Sequence, residues 1–406
     1  MNTRTMILLA AASVASTSAF SEPTIVKDSV SVVQEDAGSG AVKIDYELSG
    51  ENAVITIDVC TNGVSIGGEN IGFLIGDVNR VVEPGERTIL WKAYKSWPGH
   101  KITDGSISVS VKAWSLTTPP DYMVIDCEEP YGKRYYPSAE FVPFGVSNDI
   151  YKTKKLVMRK IPAAGVEWRM GEGPNYAVTA NSERCVPHYV SLSEDYYMGI
   201  YELTQGQMLL LSGAAVGSFT SSAKLPIESC SYNSMRGATY SWPTDEHKVG
   251  GYLATMRDRT GVDLDLPTDA QWEFACRAGV GTQLYDGNNL LSGSGTDANL
   301  EKLAWYCGNS PSGTREVGQK VCNGYGLYDM LGNVWEYCLD NYEDLKDETV
   351  TDPKGPNEST FGRVKRGGSY ADTAIARNRA AYRHYSGATK KNAYDGFRLA
   401  CPAVAK

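Results

Sequence analysis

The sequence has little that would suit a nucleic-acid-binding or membrane-spanning protein. Its 39 basic residues are outnumbered by 48 acidic ones, and the net charge of −9 offers no basic surface to a phosphate backbone. Beyond the N-terminus, no apolar run reaches the length of about 18 residues that a membrane-spanning helix needs. The sequence contains no Ser-nucleophile elbow, P-loop or dinucleotide-binding fingerprint. These absences argue against nucleic acid as a partner, against a membrane span, and against the enzyme classes that those motifs define.

Phenylalanine is also scarce, with 8 residues, whereas glycine and tyrosine are abundant, with 41 and 25. This balance favours β structure and long ordered loops over helix bundles. The apolar fraction of 42% is ordinary for a globular protein, so sizeable cores are available. A length of 406 residues is typical of two or three domains, and the sequence shows no internal repeats.

The N-terminal stretch has the features of an export signal. Arg4 supplies a short positive region, Met6–Val14 forms an apolar core, and mostly small or polar residues follow up to Ser21. The alternative, an ordinary apolar first strand, lacks the expected alternation. We therefore predict a signal peptide over residues 1–21 and a protein that is secreted or resides in the periplasm or cell envelope. Export permits disulfides, but nine cysteines is an odd number, so at least one is unpaired within the chain.

Residues 22–134 alternate apolar and polar positions between turn signals, which predicts an immunoglobulin-like or fibronectin-III-like β-sandwich. The clearest predicted strands are 41–48, 53–59, 87–93 and 107–114. Cys60 and Cys127 are the cysteines of this region, and a bridge between them is one possibility. No catalytic constellation appears here, so we expect a structural or adhesive module. Residues 135–150, rich in turn formers and aromatics, are predicted to be a linker.

Residues 151–402 mix helices and strands without β-α-β alternation, which predicts an α+β domain with a tail at 403–406. Thr-x-x-Gln capping boxes at Thr204 and Thr268 predict the starts of two helices. Strands are predicted at 155–161 and 166–171, with a strand pair at 188–193 and 196–203. After Gly279 the chain is mostly loop, which stays ordered only where disulfides, metal ions or buried ion pairs hold it.

The stretch from Asn323 to Asp340, NGYGLYDMLGNVWEYCLD, carries two carboxylates, Asp329 and Glu336, on either side of a Gly332-Asn333 turn signal. A turn there brings both carboxylates and the intervening carbonyl groups toward one point. Hard oxygen ligands that converge in this way suit Ca²⁺. The alternative is that both carboxylates cap the turn by accepting hydrogen bonds from backbone N–H groups.

Three further stretches accompany it: LPTDAQWEFACRAG at 266–279, RVKRGGSY at 363–370 and DGFRLA at 395–400. In this order and spacing the motifs resemble the formylglycine-generating enzyme, or sulfatase-modifying factor, family over about residues 155–402. The resemblance implies an α+β fold with little regular secondary structure, related to C-type lectin-like domains.

The resemblance also implies structural calcium. One family site takes its ligands from the segment around GNVWE, which maps to the side chains of Asp329 and Glu336 and the carbonyls of Gly332 and Val334. A second site begins at an Asn and the carbonyl of the next residue, which maps to Asn299 and Leu300. The other ligands of that second site have no clear counterpart here, because the loop at 306–320 is shorter.

The catalytic features of the family have no counterpart in the sequence. The enzymes oxidise a substrate cysteine with O₂, using two cysteines after RGGS that hold copper(I). Here residues 371–383 contain no cysteine; Asp372 stands at the first position, and Arg377 falls near the second. Other members bind iron through three histidines from an additional helical domain. The four histidines here, His100, His188, His247 and His384, form no HxxxH or HExxH pattern, so we expect neither copper nor iron.

We therefore predict an exported, calcium-stabilised binding protein for a peptide, glycan or protein ligand, of unknown oligomeric state. Its groove is predicted to comprise Tyr370, Asp372, Arg383, His384 and Tyr385, whereas Arg366 and Arg398 are expected to pair internally. The alternative is a formylglycine-generating oxidase or a non-heme iron oxygenase, acting on a protein cysteine or a small thiol through an unrecognised site. A third idea is that residues 371–394 form a diversified binding surface.

The remaining cysteines suggest disulfide bonds that would connect the loops. The hypothetical pairs are Cys307–Cys322, Cys276–Cys338 and Cys185–Cys230, with Cys401 left over. The alternative for each is a buried free thiol.

Overall fold

The computed structural model describes residues 21–35, 40–100, 102, 105–173 and 182–405. Nearly all of the predicted signal peptide, residues 1–20, lies outside the described residues, as does Lys406 at the end of the predicted tail. The described chain is mostly β structure with few helices. Among these residues, no helix has the length and apolar character needed to cross a bilayer.

Two antiparallel sheets form the N-terminal part of the fold. Their strands are β1 (Thr24–Ile25), β2 (Ser31–Gln34), β3 (Ala41–Ser49), β4 (Ala53–Thr61), β5 (Val64–Ser65), β6 (Leu74–Gly76), β7 (Val81–Val82), β8 (Gly85–Lys92) and β9 (Ser108–Ser115), with a short helix α1 (Ala93–Ser96) after β8. The first sheet has the order β1-β3-β8-β6, with β2 also paired to β3. In the second sheet, β4 pairs with β5, β7 and β9.

Alternate residues of the two longest strands account for the core between these sheets. Val42 and Ile44 of β3 are buried together with Ile55 and Ile57 of β4, and Trp91 of β8 completes the cluster. A period of two in apolar residues places one face of each strand inside, which is why the predicted strands agree with the observed ones to within two residues at each end.

The C-terminal part has three sheets. Its strands are β10 (Tyr122–Asp126), β11 (Lys133–Tyr136), β12 (Lys155–Ile161), β13 (Val166–Met170), β14 (His188–Leu192), β15 (Tyr196–Gly199), β16 (Trp335–Asn341), β17 (Val350–Thr351), β18 (Arg363–Arg366), β19 (His384–Ser386), β20 (Asp395–Gly396) and β21 (Ala400–Pro402). The sheet orders are β11-β10-β12-β15-β21, β13-β14-β17 and β19-β18-β16-β20.

This topology corrects two sequence predictions. Strands β10 and β11 pair with β12, so residues 122–136 belong to the C-terminal sheet, and neither the boundary at 134 nor the linker at 135–150 divides the domains as predicted. The strand pair predicted at 188–193 and 196–203 does not form, because β14 pairs with β13 and β17, whereas β15 pairs with β12 and β21. Local alternation predicts a strand but does not identify its partner.

The C-terminal helices are α2 (Gln205–Ser212), α3 (Tyr232–Arg236), α4 (Gly251–Thr260) and α5 (Asp269–Arg277). Both predicted capping boxes are confirmed: the hydroxyl of Thr204 accepts from Gln207 N, that of Thr268 accepts from Gln271 N, and each glutamine returns a bond to its cap. Helix α5 buries Trp272 and carries Asp269 and Glu273 into the interior, where they meet the arginines of β18 and the following loop.

The predicted disulfides are absent from the structure. Eight cysteines that the four suggested pairs would use are free thiols: Cys60, Cys127, Cys185, Cys230, Cys276, Cys307, Cys322 and Cys338. Cys60 lies near the end of β4, whereas Cys127 follows β10 and is buried in the core cluster that contains residues of β10 and β12.

Candidate functional site

The turn before β16 reverses the chain at Gly332 and Asn333. Gly332 has a φ of 81°, and a Cβ at this position would lie 2.3 Å from the carbonyl oxygen of Trp305, so only glycine fits. Asn333 also has a positive φ, 53°, and its N–H donates to the same Trp305 carbonyl at 2.7 Å. The Asn333 side chain donates to Glu202 Oε2 at 2.6 Å. These contacts fix the turn that carries Asp329 and Glu336 inward.

Three buried carboxylates meet beneath this turn: Glu202, Asp329 and Glu336. Glu336 accepts from Arg398 Nη2 at 2.8 Å and from Trp272 Nε1 at 2.6 Å. Glu202 Oε1 accepts from the N–H of Val334 at 3.1 Å. Asp329 Oδ2 accepts from the N–H of Gly318 at 2.6 Å, whereas Oδ1 is buried without a hydrogen-bond partner among the described residues.

The electrostatics of this cluster favour an added cation. Burial, with the nearby charge of Glu336, raises the pKa of Asp329 to about 6. Burial also raises the pKa of Glu202 well above its usual range, and the charges of Asp329 and Glu336 add to that rise. Arg398 is the guanidinium that lowers both pKa values. Were all three carboxyl groups ionised, Arg398 and the nearby Lys152 would not balance them, and the unpartnered oxygen of Asp329 offers a ligand atom of the kind that Ca²⁺ prefers.

The residues predicted for a second calcium site lie together at a short 3-10 helix, Leu300–Lys302. The Leu300 carbonyl accepts from Leu303 N at 2.9 Å and Ala304 N at 3.0 Å, so it is already engaged in the hydrogen bonds of this helical turn. The amide nitrogen of Asn299 donates to the Asn289 carbonyl at 2.9 Å. The carboxylate beside them is Asp297, whose Oδ1 accepts from Asn299 N and Leu300 N just before the 3-10 helix.

The segment after RGGS contains an ion pair between Asp372 and Arg377. Asp372 Oδ1 accepts from Arg377 Nη1 at 2.8 Å, and Asp372 Oδ2 accepts from the Ser369 hydroxyl at 2.7 Å. Tyr370 is buried and packs edge-on against Phe219, with ring centroids 5.8 Å apart. Tyr370 and Asp372 are thus committed mainly to contacts within the protein.

Arg383, predicted to line a surface groove, is instead buried. Its Nε donates to Asp269 Oδ2 at 2.7 Å, and its Nη1 donates to the Glu343 carbonyl at 2.8 Å. The expected internal pairing of the other two arginines is confirmed: Arg366 pairs with Asp269 and Glu273, and Arg398 pairs with Glu336.

His384 and Tyr385 remain half-exposed on β19, within an aromatic surface patch. We define the aromatic patch as Tyr342, Phe361, His384 and Tyr385, together with Arg184, whose guanidinium lies 5.2 Å from the Tyr385 ring centroid. Tyr385 lies 4.8 Å from Tyr342 and 5.2 Å from Phe361, between ring centroids. Burial, with the charges of Lys365, Arg377 and Arg184, lowers the pKa of His384 to about 4, so the imidazole is neutral at pH 7.

Sequence reasoning missed Glu202, Asp297 and Tyr342, and for two of them no local signal was available. Glu202 follows β15 and reaches the GNVWE turn only through the tertiary fold, and Tyr342 lies in the same patch as Tyr385 only because β16 and β18 pair. Asp297 could have been found, because Asp side chains commonly accept hydrogen bonds from the backbone N–H groups that follow them in a turn.

Comparison with known proteins agrees with these motifs. The family described as "Sulfatase-modifying factor enzyme 1-like domain" matches residues 157–403. The chain belongs to this family. It is 36% identical to the formylglycine-generating enzyme of Mus musculus over 148 residues, which cover 33% of this chain and 38% of that protein. It is 35% identical to "Inactive C-alpha-formylglycine-generating enzyme 2" of Mus musculus over 152 residues, covering 34% of this chain and 43% of that protein.

Among solved structures, this sulfatase-modifying factor family member is similar to "Treponema denticola variable protein 1". The TM-score is 0.47 and the identity 29%, over 61% of this chain and 95% of that chain. The chain spans less than half the length of the two mouse relatives that it matches.

Proposed function

We propose that this protein is an exported, non-oxidase member of the family, whose calcium-stabilised C-terminal domain binds a peptide, glycan or protein ligand. The observation that carries the proposal is the Asp372–Arg377 ion pair, at 2.8 Å, in the segment where the family's copper-binding thiolates would stand. A guanidinium has no lone pair to offer a metal, and linear copper(I) requires soft sulfur ligands. The two side chains also neutralise each other, so they leave no open position for a redox metal.

Calcium is proposed at the cluster under the GNVWE turn. Asp329 and Glu336, with the carbonyls of Gly332 and Val334, would hold the ion, and its charge would offset the surplus of the three carboxylates. The support is the buried, unpartnered Oδ1 of Asp329. Glu336 would share its oxygens between the ion and Arg398. The role of such an ion is structural, because it would tie the turn before β16 to the segment after β15 that carries Glu202.

The aromatic patch is the proposed ligand surface. Its rings present apolar faces beside the Arg184 guanidinium, an arrangement that suits sugar rings and the aromatic or acidic side chains of a peptide. Phe361 is 49% exposed, so the patch is accessible to a partner. The neutral imidazole of His384 adds a hydrogen-bonding group at its edge without adding charge.

The calcium claim is tested by elemental analysis of calcium-replete protein, together with thermal melts with and without a chelator. We expect bound calcium at the Asp329 site and a loss of about 2.7 kcal/mol on chelation from a concentration of about 100 times Kd, which lowers Tm by about 5–10 °C. Asp329→Asn should abolish that difference. Asp347→Asn, the same change at an exposed residue of a nearby loop, should preserve it. An identical melt with and without chelator contradicts the claim.

The non-oxidase claim is tested with a cysteine-containing peptide, copper and O₂. We expect no turnover and no stoichiometric copper or iron. Conversion of the cysteine to formylglycine, abolished when Asp372 or Arg377 is changed to Ala, would instead establish an oxidase. The binding claim is tested on a glycan and peptide array, where Tyr385→Ser should weaken any captured ligand and Tyr189→Ser, an exposed tyrosine on β14, should not.

A further inference from the structure

Strand β6 forms one edge of the first N-terminal sheet, and it leaves a backbone position there unpaired. At one end of the strand, Phe73 O accepts from Lys92 N at 3.2 Å, and at the other end Asp77 N donates to Thr88 O at 3.1 Å. These bonds show that alternate residues, starting from Phe73, bond to β8. In an antiparallel pair the residues between them point their N–H and C=O groups away from that partner. Leu74 therefore presents a donor and an acceptor at the free edge, where no other described strand pairs with β6.

An apolar pocket of about 190 Å³ lies beside this edge, and we call it the β6 pocket. Apolar side chains dominate its lining, among them Ile57, Leu74, Val78 and Phe141. Its volume suits one leucine or phenylalanine side chain. A residue that paired with Leu74 in an added strand would direct its own side chain to the same face of the sheet as the Leu74 side chain. The free edge and the pocket can therefore be occupied together by one extended segment.

Two phenylalanines at the pocket have an unfavourable backbone conformation. Phe73, which lines the pocket, has a φ of 57°, and Phe144, which follows the lining residue Pro143, has a φ of 65°. A positive φ is rare for bulky residues and costs free energy. Their side chains are nevertheless 52% and 69% exposed, so the fold recovers little of that cost by burying them. Such strain is characteristic of binding surfaces, where a partner covers the exposed rings.

The charged groups at the pocket are cations. Arg134 is the one charged residue in the lining, and its Nη1 donates to the Lys133 carbonyl at 2.8 Å. Lys95 Nζ lies 5.7 Å from the centre of the Phe73 ring. Neither Arg134 nor Lys95 forms an ion pair within the described parts of the chain, and the neighbouring Glu140 does not line the pocket. A carboxylate brought by a partner would therefore meet cations that have no competing carboxylate.

We propose that an extended acidic segment of a partner protein adds to the first N-terminal sheet along β6. An apolar side chain of that segment enters the β6 pocket, and a carboxylate two residues away pairs with Arg134. The donor and acceptor of Leu74 select an extended chain, because their spacing matches a strand backbone. The site is separate from the aromatic patch, so its test does not depend on the proposed function.

The test measures binding of a labelled heptapeptide, Ser-Glu-Thr-Leu-Thr-Glu-Ser, to the full chain by fluorescence anisotropy. Its two glutamates lie two residues from the leucine on either side, so the pairing with Arg134 is available in both strand directions. Replacing the leucine with alanine should weaken binding about tenfold, because the pocket is left partly empty. N-methylation of the leucine should weaken binding about fivefold, because it removes the backbone donor opposite Leu74. Replacing both glutamates with glutamine should weaken it about twofold to fivefold. Equal binding of the four peptides would overturn the proposal.

Two variants of the protein test the pocket itself. Arg134→Gln should weaken the glutamate peptide about twofold to fivefold and leave the glutamine peptide unchanged, whereas Arg169→Gln, at an exposed arginine of β13, should change neither. Phe73→Asn introduces a residue that tolerates positive φ, so it should weaken the peptide about fivefold without lowering Tm. An unchanged affinity in Arg134→Gln contradicts the assignment of the carboxylate. A lower Tm with unchanged affinity in Phe73→Asn would show that the ring serves the fold alone, against the proposal.

Light scattering distinguishes a partner segment from a second copy of this chain, which could also pair along β6. We expect the same molar mass with and without the heptapeptide, apart from the mass of the peptide itself. A dimer that dissociates when the heptapeptide is added would assign the β6 edge to a second copy and overturn the proposed partner.

Discussion

The buried Arg366 guanidinium offers the sharpest test of how the loop-rich domain is held together. Arg366 is 0% exposed. Its Nη2 donates to Glu273 Oε2 at 2.9 Å, its Nε donates to Asp269, and its Nη1 donates to the Ala380 carbonyl at 3.0 Å. One side chain thus connects β18, helix α5 and the segment after RGGS. Arg366→Met fills similar space but removes the charge and every one of these bonds.

The loss of stability expected for Arg366→Met depends on which cations remain beside Asp269 and Glu273. Removing one partner of a buried ion pair costs about 3–5 kcal/mol. Asp269 keeps Arg383 at 2.7 Å, and Glu273 keeps Arg277 at 2.8 Å, so neither carboxylate is left without a cation. We therefore expect the lower part of that range, about 3–4 kcal/mol. For a domain of this size the loss corresponds to a decrease in Tm of about 6–16 °C.

The assay is a thermal melt of calcium-saturated protein, followed by the fluorescence of the C-terminal tryptophans. The control is Lys43→Met, which removes the cation of an exposed pair on β3 whose side chains are 43% and 37% exposed and which should cost about 0–1 kcal/mol. A shift below about 2 °C for Arg366→Met would refute the claim that this network stabilises the domain.

Three further predictions concern local features. Thr268→Ala removes the capping box of α5 and should lower stability by about 1 kcal/mol in denaturant unfolding, with m unchanged. Gly332→Ala should cost at least about 2 kcal/mol, because the residue has positive φ and its Cβ would meet the Trp305 carbonyl; a wild-type melt would disprove the close approach. The pKa of His384, about 4 in the folded state, is below the ordinary value of 6.5, so acid protonates the unfolded chain first. The resulting stability is present above pH 6.5 and is lost as pH falls toward 4, and His384→Gln should flatten this part of a pH-dependent unfolding curve.

Elements with a local cause were predictable from the sequence. Capping boxes and helix ends depend on residues three or four positions apart, and both boxes appear as expected. Strand β12 has the predicted bounds, Lys155–Ile161, for the same reason. Strand partners depend on distant residues, and here prediction failed: the predicted boundary at 134 placed β10 and the start of β11 in the first domain, and only the pairing of β10 with β12 reveals where they belong.

The candidate site also contains residues that local sequence predicts and residues that only the tertiary fold brings together. The motif residues Asp329 and Glu336 are buried near each other, as their spacing suggested, but Glu202 comes from a different part of the chain and was missed. Arg383 was predicted on the surface because an Arg beside aromatic residues and a carboxylate suits ligand recognition. In a strand, neighbours point to opposite faces, and at the start of β19 that alternation directs Arg383 inward to Asp269 and leaves His384 half-exposed.

The long loops after Gly279 are held by buried charges that nearly balance. Arg366 and Arg383 offset Asp269 and Glu273, together with Arg277, and Lys365 offsets Asp395 at 2.5 Å. The cluster under the GNVWE turn departs from that balance, since Glu202, Asp329 and Glu336 share Arg398, with Lys152 as a more weakly acting cation near Asp329. A fold that otherwise pairs its buried charges would be expected to do so here as well. The departure therefore supports the proposed cation at Asp329. It also predicts the effect of Glu202→Gln on the free energy of unfolding. The substitution should reduce the stabilisation gained on adding calcium by more than it reduces the free energy of unfolding measured in chelator.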